Sequence, residues 1–191
     1  MTDHIGNTSP DSAVRAACSC SAVMSREAVW HPSAVRLVDP AGGIVLQPLR
    51  YQFPVASGDR WDDNWLTIGA EVTTPAASWS FTDSCLLVDE AHELSAWLRA
   101  VADGRRQDAQ QDPEGHLVPD LSFLEPDLAF SQVRWHGGTG VVRVHLSREA
   151  APPRRENPGR FQHVVEIETD RAKLMRAAEE WDQRLAQFPL R

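Results

Sequence analysis

Apolar and polar residues begin to alternate regularly near residue 34. The stretch "AVRLVDPAGGIVLQPLRYQFP" breaks at Asp39-Pro40-Ala41-Gly42-Gly43, which predicts a strand, a turn and a second strand. In "NWLTIGAEVTT", Trp65 and Thr67 fall on one side, while Leu66, Ile68, Ala70 and Val72 fall on the other. Pro75 closes that run, and "SWSFTDSCLLV" supplies the next extended segment. Consecutive strands with short links predict an antiparallel meander.

The period then changes to that of a helix. Leu94, Trp97, Leu98 and Val101 recur at helical spacing, with Asp89 as the expected N-cap, Glu90 in the first turn and Gly104 at the stop. "RRQDAQQDPEGHLVP" is polar and aperiodic and predicts an exposed loop. Strands resume with "LSFLEPDLAFSQVRW", a "HGGTG" turn and "VVRVHLSREA". Here Val142, Val144 and Leu146 face one way, and Arg143 and His145 face the other, expected to be wet. "PPRRENPG" reads as a second exposed loop before the strand "FQHVVEIET". A last helix begins near Thr169 or Asp170, with Leu174, Ala178, Trp181, Leu185 and Phe188 on one stripe.

Strands punctuated by two helices, without strict alternation, predict an α+β fold. The expectation is one domain over residues 34–191, with a curved antiparallel β-sheet whose one face packs two main helices, about 89–103 and 170–187. Residues 1–33 are rich in Ser, Ala and Asp, are broken by Pro10 and Pro32, and are expected to form a flexible or loosely packed arm. Met24 offers an alternative start within that arm.

Composition narrows the function classes. A formal net charge of −8 argues against a nucleic-acid-binding surface and is compatible with a basic protein partner. Cys18 and Cys20 form a C-x-C pair without a second ligand pair, and Cys85 lies in an apolar run as a small core residue. This cysteine usage fits a reducing cytosol. The N-terminal region has no apolar signal core, and no run approaches the roughly 20 apolar residues of a membrane span. A cytoplasmic protein with no membrane contact is expected.

Candidate chemistry is sparse. "DRWDDNWLTI" places Asp59, Asp62 and Asp63 beside Trp61 and Trp65 but lacks a calcium-loop pattern, so these aspartates read as turn formers and as an exposed acidic surface. "LSFLEPDLAF" offers Asp120, Glu125 and Asp127, from which a small hydrolase pairing Glu125 with Asp120 or Asp127 could be built. Glu125-Pro126 also suits a bend. His92, His116, His136, His145 and His163 lack metal-site spacing, and the second position of a zincin helix is occupied by Ala96. "HGGTG" reads as a hairpin connection, not a phosphate loop. No cofactor, metal or catalytic constellation is expected. Trp97 and Trp181 lie on helical core stripes, whereas Trp61 and Trp135 flank turns and are the candidate aromatic anchors for a partner.

Taken in order, "DDNWLTIGAEV", "WSFTDSCLLVDEAHELSAWL", "LSFLEPDLAF", "EAAPP" and "FPLR" resemble the WapI-type immunity protein family, over residues 47 to 191. The chain departs from that pattern in its N-terminal arm and in the loop around residues 105–119. The resemblance implies a small cytosolic bacterial antidote that neutralises the nuclease domain of a contact-dependent toxin. It carries no partner-contacting residue over to a numbered position. The expected role is therefore a non-enzymatic protein-binding antidote, with Asp59, Trp61, Asp62, Asp63 and Trp135 as candidate contacts. An acidic scaffold or self-associating domain is the alternative from another class, and the carboxylate hydrolase is a third.

Overall fold

The computed structural model describes residues 34–116, 118–153 and 163–191. The predicted arm with Cys18 and Cys20, and most of the "PPRRENPG" loop, lie outside the described residues. Four strands come first: β1 (Val35–Asp39), β2 (Gly42–Tyr51), β3 (Trp65–Thr73) and β4 (Ser78–Leu87). Helix α1 (Val88–Ala102) follows, then β5 (Leu121–Ser122), β6 (Leu128–His136), β7 (Thr139–Leu146), β8 (His163–Asp170) and α2 (Arg171–Leu185). The fold is α+β, with antiparallel pairing throughout and two main helices, as expected.

The strands divide between two four-stranded meanders, β1-β2-β3-β4 and β5-β6-β7-β8, where one curved sheet was expected. After β4 the chain enters α1 and a long polar segment, so β5 starts a new sheet instead of extending the old edge. The sheets meet where the β1–β2 turn touches β8: Asp39 Oδ1 accepts from Ala41 N (2.7 Å) and Gly42 N, while Oδ2 accepts from Glu168 N (2.8 Å). Gly43, just after that turn in β2, has φ of 142°, and a Cβ there would lie 2.1 Å from the Leu37 carbonyl oxygen, so only glycine fits.

A single hydrophobic core runs through both sheets and both helices. Leu174, Ala178, Trp181 and Leu185 turn the α2 stripe onto α1 and the first sheet. Trp97 of α1 reaches the second sheet, tilted against Phe130 at 5.7 Å, and donates its indole N–H to Asp120 Oδ1 (2.6 Å).

Two local expectations need correction. The N-cap of α1 is Leu87, not Asp89. Glu90 reaches back to accept from Leu87 N (2.9 Å) and also accepts from Leu124 N (2.7 Å), so one carboxylate serves the helix start and the β5–β6 loop. On β7, Arg143 and His145 are buried instead of wet. The strand is central in its sheet, and its neighbours cover the second face: Glu166 of β8 accepts from Arg143 Nη2 (2.6 Å), and Ser131 of β6 bonds His145 Nε2 (2.8 Å). No helix among the described residues is long and apolar enough to cross a membrane.

Candidate functional site

Residues 52–64 join β2 to β3 and carry Asp59, Trp61, Asp62 and Asp63. Asp63 is buried, at 3% exposure, which corrects its assignment to an exposed acidic surface. Its Oδ1 accepts from Ser57 N (2.7 Å) and Ser57 Oγ (3.1 Å), and Oδ2 accepts from Gly58 N (2.8 Å). The Ser57 backbone bond leads the effects that hold this carboxyl below its ordinary range; Gly58, the Ser57 hydroxyl and Arg191 assist against the opposing effect of burial. Asp59 works from outside: Oδ1 accepts from Trp61 N (2.8 Å) and Asp62 N (3.0 Å), and its carbonyl accepts from Asp63 N (2.9 Å). The result is a 3-10 turn over Asp62–Asn64 that delivers Trp65 to the start of β3.

The C-terminal segment straps this turn in place. Asn64 Nδ2 donates to Arg60 O (2.7 Å) and Arg191 O (3.1 Å), and its Oδ1 accepts from Arg191 N (3.0 Å). Tyr51 donates its hydroxyl hydrogen to the Pro189 carbonyl, and the Arg191 guanidinium lies 3.5 Å from the Tyr51 ring centroid. With its backbone held on both sides, Trp61 points outward at 62% exposure. It lines a groove of about 180 Å³ together with Arg60, Asn64, Leu87, Asp89 and Leu190. Phe53 and Val55 add exposed apolar surface on the same loop, and Asp59 and Asp62 are exposed beside Trp61.

Asp63→Ala is expected to lower the melting temperature by releasing Ser57 and Gly58. Because the folded pKa lies below the unfolded value of 3.8, this stabilisation is present above that value and is lost as pH falls through the folded pKa. Thermal unfolding from pH 7 down to pH 3 should therefore show the gap between wild type and variant closing in acid. A gap independent of pH would remove the ionised carboxylate as its cause.

Trp135, the fifth predicted contact, belongs to the second sheet. It lies opposite Gly140 on β7, where a Cβ would come 2.6 Å from the Trp135 ring, so the indole covers a glycine and packs on the core. Among the described residues, no hydrogen bond or groove joins it to Trp61.

The predicted hydrolase carboxylates are structurally engaged. Asp120 accepts from Trp97 and, through Oδ2, from Gln132 N (3.3 Å), and burial raises its pKa. Glu125 Oε2 accepts from Arg148 Nη1 (3.0 Å), and Asp127 is 1% exposed, out of reach of a substrate. Ser131 and His145 form a nucleophile-like pair that the sequence did not single out, yet both are fully buried. Leu190, Asp83 and Glu149 were also missed. The available signal was their position inside "FPLR", "WSFTDSC" and "EAAPP", three of the segments that carry the family resemblance.

A model of the immunity protein WapI-like family matches residues 37–189, which span the second half of β1 and every later element. The chain belongs to the WapI-like immunity protein family. No curated protein and no solved structure matched it. Membership implies a toxin-antidote role in general and a cognate toxin as partner.

Proposed function

We propose that the protein is a non-enzymatic antidote that acts in the cytoplasm by binding and occluding a nuclease toxin domain. The observation that carries the reading is Trp61, held outward on a turn already ordered by Asp59, Asp63 and Arg191. Binding there incurs little of the usual ordering cost, and tryptophan supplies large contact area. Asp59 and Asp62 are exposed next to Trp61 in the chain, Asp89 lines the groove with Arg60, and the net charge of −8 complements a cationic, nucleic-acid-cleaving partner. Asp63 is excluded from the contact set because its carboxylate is spent inside the turn.

The test is titration calorimetry against candidate nuclease toxin domains, those encoded near the gene first if there are any, with growth rescue on co-expression. Trp61→Ala is expected to weaken binding by about 2 kcal/mol, roughly thirtyfold. The double substitution Asp59→Ala, Asp62→Ala should flatten the salt dependence. Unchanged affinity in all three positions would remove this surface; absence of binding and rescue would sink the antidote reading. Exposed Val55, Trp61 and Leu190 also favour self-association as a second reading, and light scattering showing a dimer that Trp61→Ala dissolves would select it.

A further inference from the structure

The joint between the two sheets gathers carboxylates from segments far apart in the chain. Asp83 lies on β4, Asp127 immediately before β6, and Glu149 in a 3-10 turn, Arg148–Ala150, after β7. One oxygen from each comes within 4.8 Å of the other two. The joint is built firmly: Ser147 N donates to Asp127 O (3.0 Å), Ser147 Oγ donates to Pro126 O, and Trp79 of β4 donates its indole N–H to Ala150 O (3.0 Å).

Asp127 is the anomaly within it. The residue is 1% exposed, and neither carboxylate oxygen has a hydrogen-bond donor. The nearest cation is Arg148, whose Nε lies 3.8 Å from Asp127 Oδ1, too long for a hydrogen bond. That guanidinium is already placed on Glu125 at 3.0 Å and lies 3.6 Å from Glu149. One arginine therefore faces three carboxylates, with Asp83 beside them as a fourth negative group. A buried carboxylate this close to two others, one half-buried and one exposed, needs a shared proton or a cation beside it.

We propose that Asp83, Asp127 and Glu149 form a binding site for a calcium-sized divalent cation that ties the first sheet to the second. Three ligands from three segments suit a cation better than a proton, since a shared proton relieves a pair and leaves the third oxygen repelled. An all-oxygen set selects a hard ion. Oxygens that lie within 4.8 Å of one another can share one ion, and three side chains from unrelated segments suit the flexible coordination of calcium at about 2.3–2.6 Å better than the strict octahedron of magnesium.

The experiment uses the chelator-treated full chain, titrated with calcium chloride in a calorimeter and with terbium as a luminescent stand-in excited through tryptophan. One equivalent of calcium should bind with a rise in melting temperature, and magnesium should bind more weakly. Glu149→Gln alters a half-exposed side chain without emptying the core, and should weaken calcium by about tenfold or more. Asp127→Asn should abolish it. Asp112→Asn serves as a control in the exposed Asp112, Glu114 and His116 group and should change nothing. Calcium binding that survives both Glu149→Gln and Asp127→Asn, or that falls with Asp112→Asn, overturns the assignment. Absence of saturable calcium or terbium binding also overturns it and leaves a shared proton as the way the group is accommodated.

Discussion

Replacing Trp181 with alanine is expected to cost about 3–5 kcal/mol of stability, the range for emptying a buried tryptophan site. Trp181 is fully buried on α2, and its indole N–H bonds the Ala91 carbonyl of α1 at 2.7 Å. The α1–α2 interface is the most extensive one that does not involve strand pairing, and Trp181 stands within it. Alanine would leave a void between two helices that are both held against the sheets, so collapse around it is restricted. Trp181→Phe should cost less, about 1–2 kcal/mol, since Ala91 O keeps its helical acceptor role and most volume remains. Urea unfolding would separate the two variants by midpoint at similar slope. A loss below about 1 kcal/mol for alanine would contradict the packing described.

The second large effect concerns pH. In chelator-treated protein, Asp127→Asn is expected to raise stability by a few kcal/mol at pH 8 and by little at pH 4. The folded pKa of Asp127 is raised to about 8, first by burial, then by Asp83 and Glu149, with Arg148 opposing. Since the unfolded value is 3.8, the folded state holds an extra proton between those values, and stability falls as pH rises through that window. Asparagine remains neutral and can donate to Asp83, which removes the slope. The groups around this carboxyl are Asp83, Glu149 and Arg148, with the Cys85 thiol close enough to be raised by burial and then by Asp127 and Asp83. Parallel pH profiles for wild type and variant would show that ionisation of Asp127 is not responsible. Saturating calcium should flatten the wild-type profile.

Elements with a single strong period were legible in the sequence. The stripe Leu174, Ala178, Trp181, Leu185 and Phe188 is buried throughout, and Trp65 begins a core strand as the alternation predicts. Features that depend on distant segments were not. Asp63 looks like any turn aspartate until Ser57 and Gly58 fold over it. Arg143 and His145 alternate with valines as a wet face would, yet their strand becomes central and both faces are covered. The Asp83, Asp127 and Glu149 group exists only because two sheets meet, and no local pattern encodes that meeting. Helix capping failed for a subtler reason. Asp89 has the right chemistry for a cap, but Glu90 caps Leu87 from inside the first turn.

The placement of α2 has a consequence for how the protein is made. The helix contributes the last part of the core and packs on α1, β1, β2 and β8, so the first sheet leaves the ribosome with part of its apolar face bare. That face stays uncovered until about a hundred further residues have been synthesised, which takes several seconds at usual elongation rates. Newly made chains therefore pass through an interval of chaperone dependence, and premature termination before α2 yields aggregation-prone fragments in place of a smaller working domain.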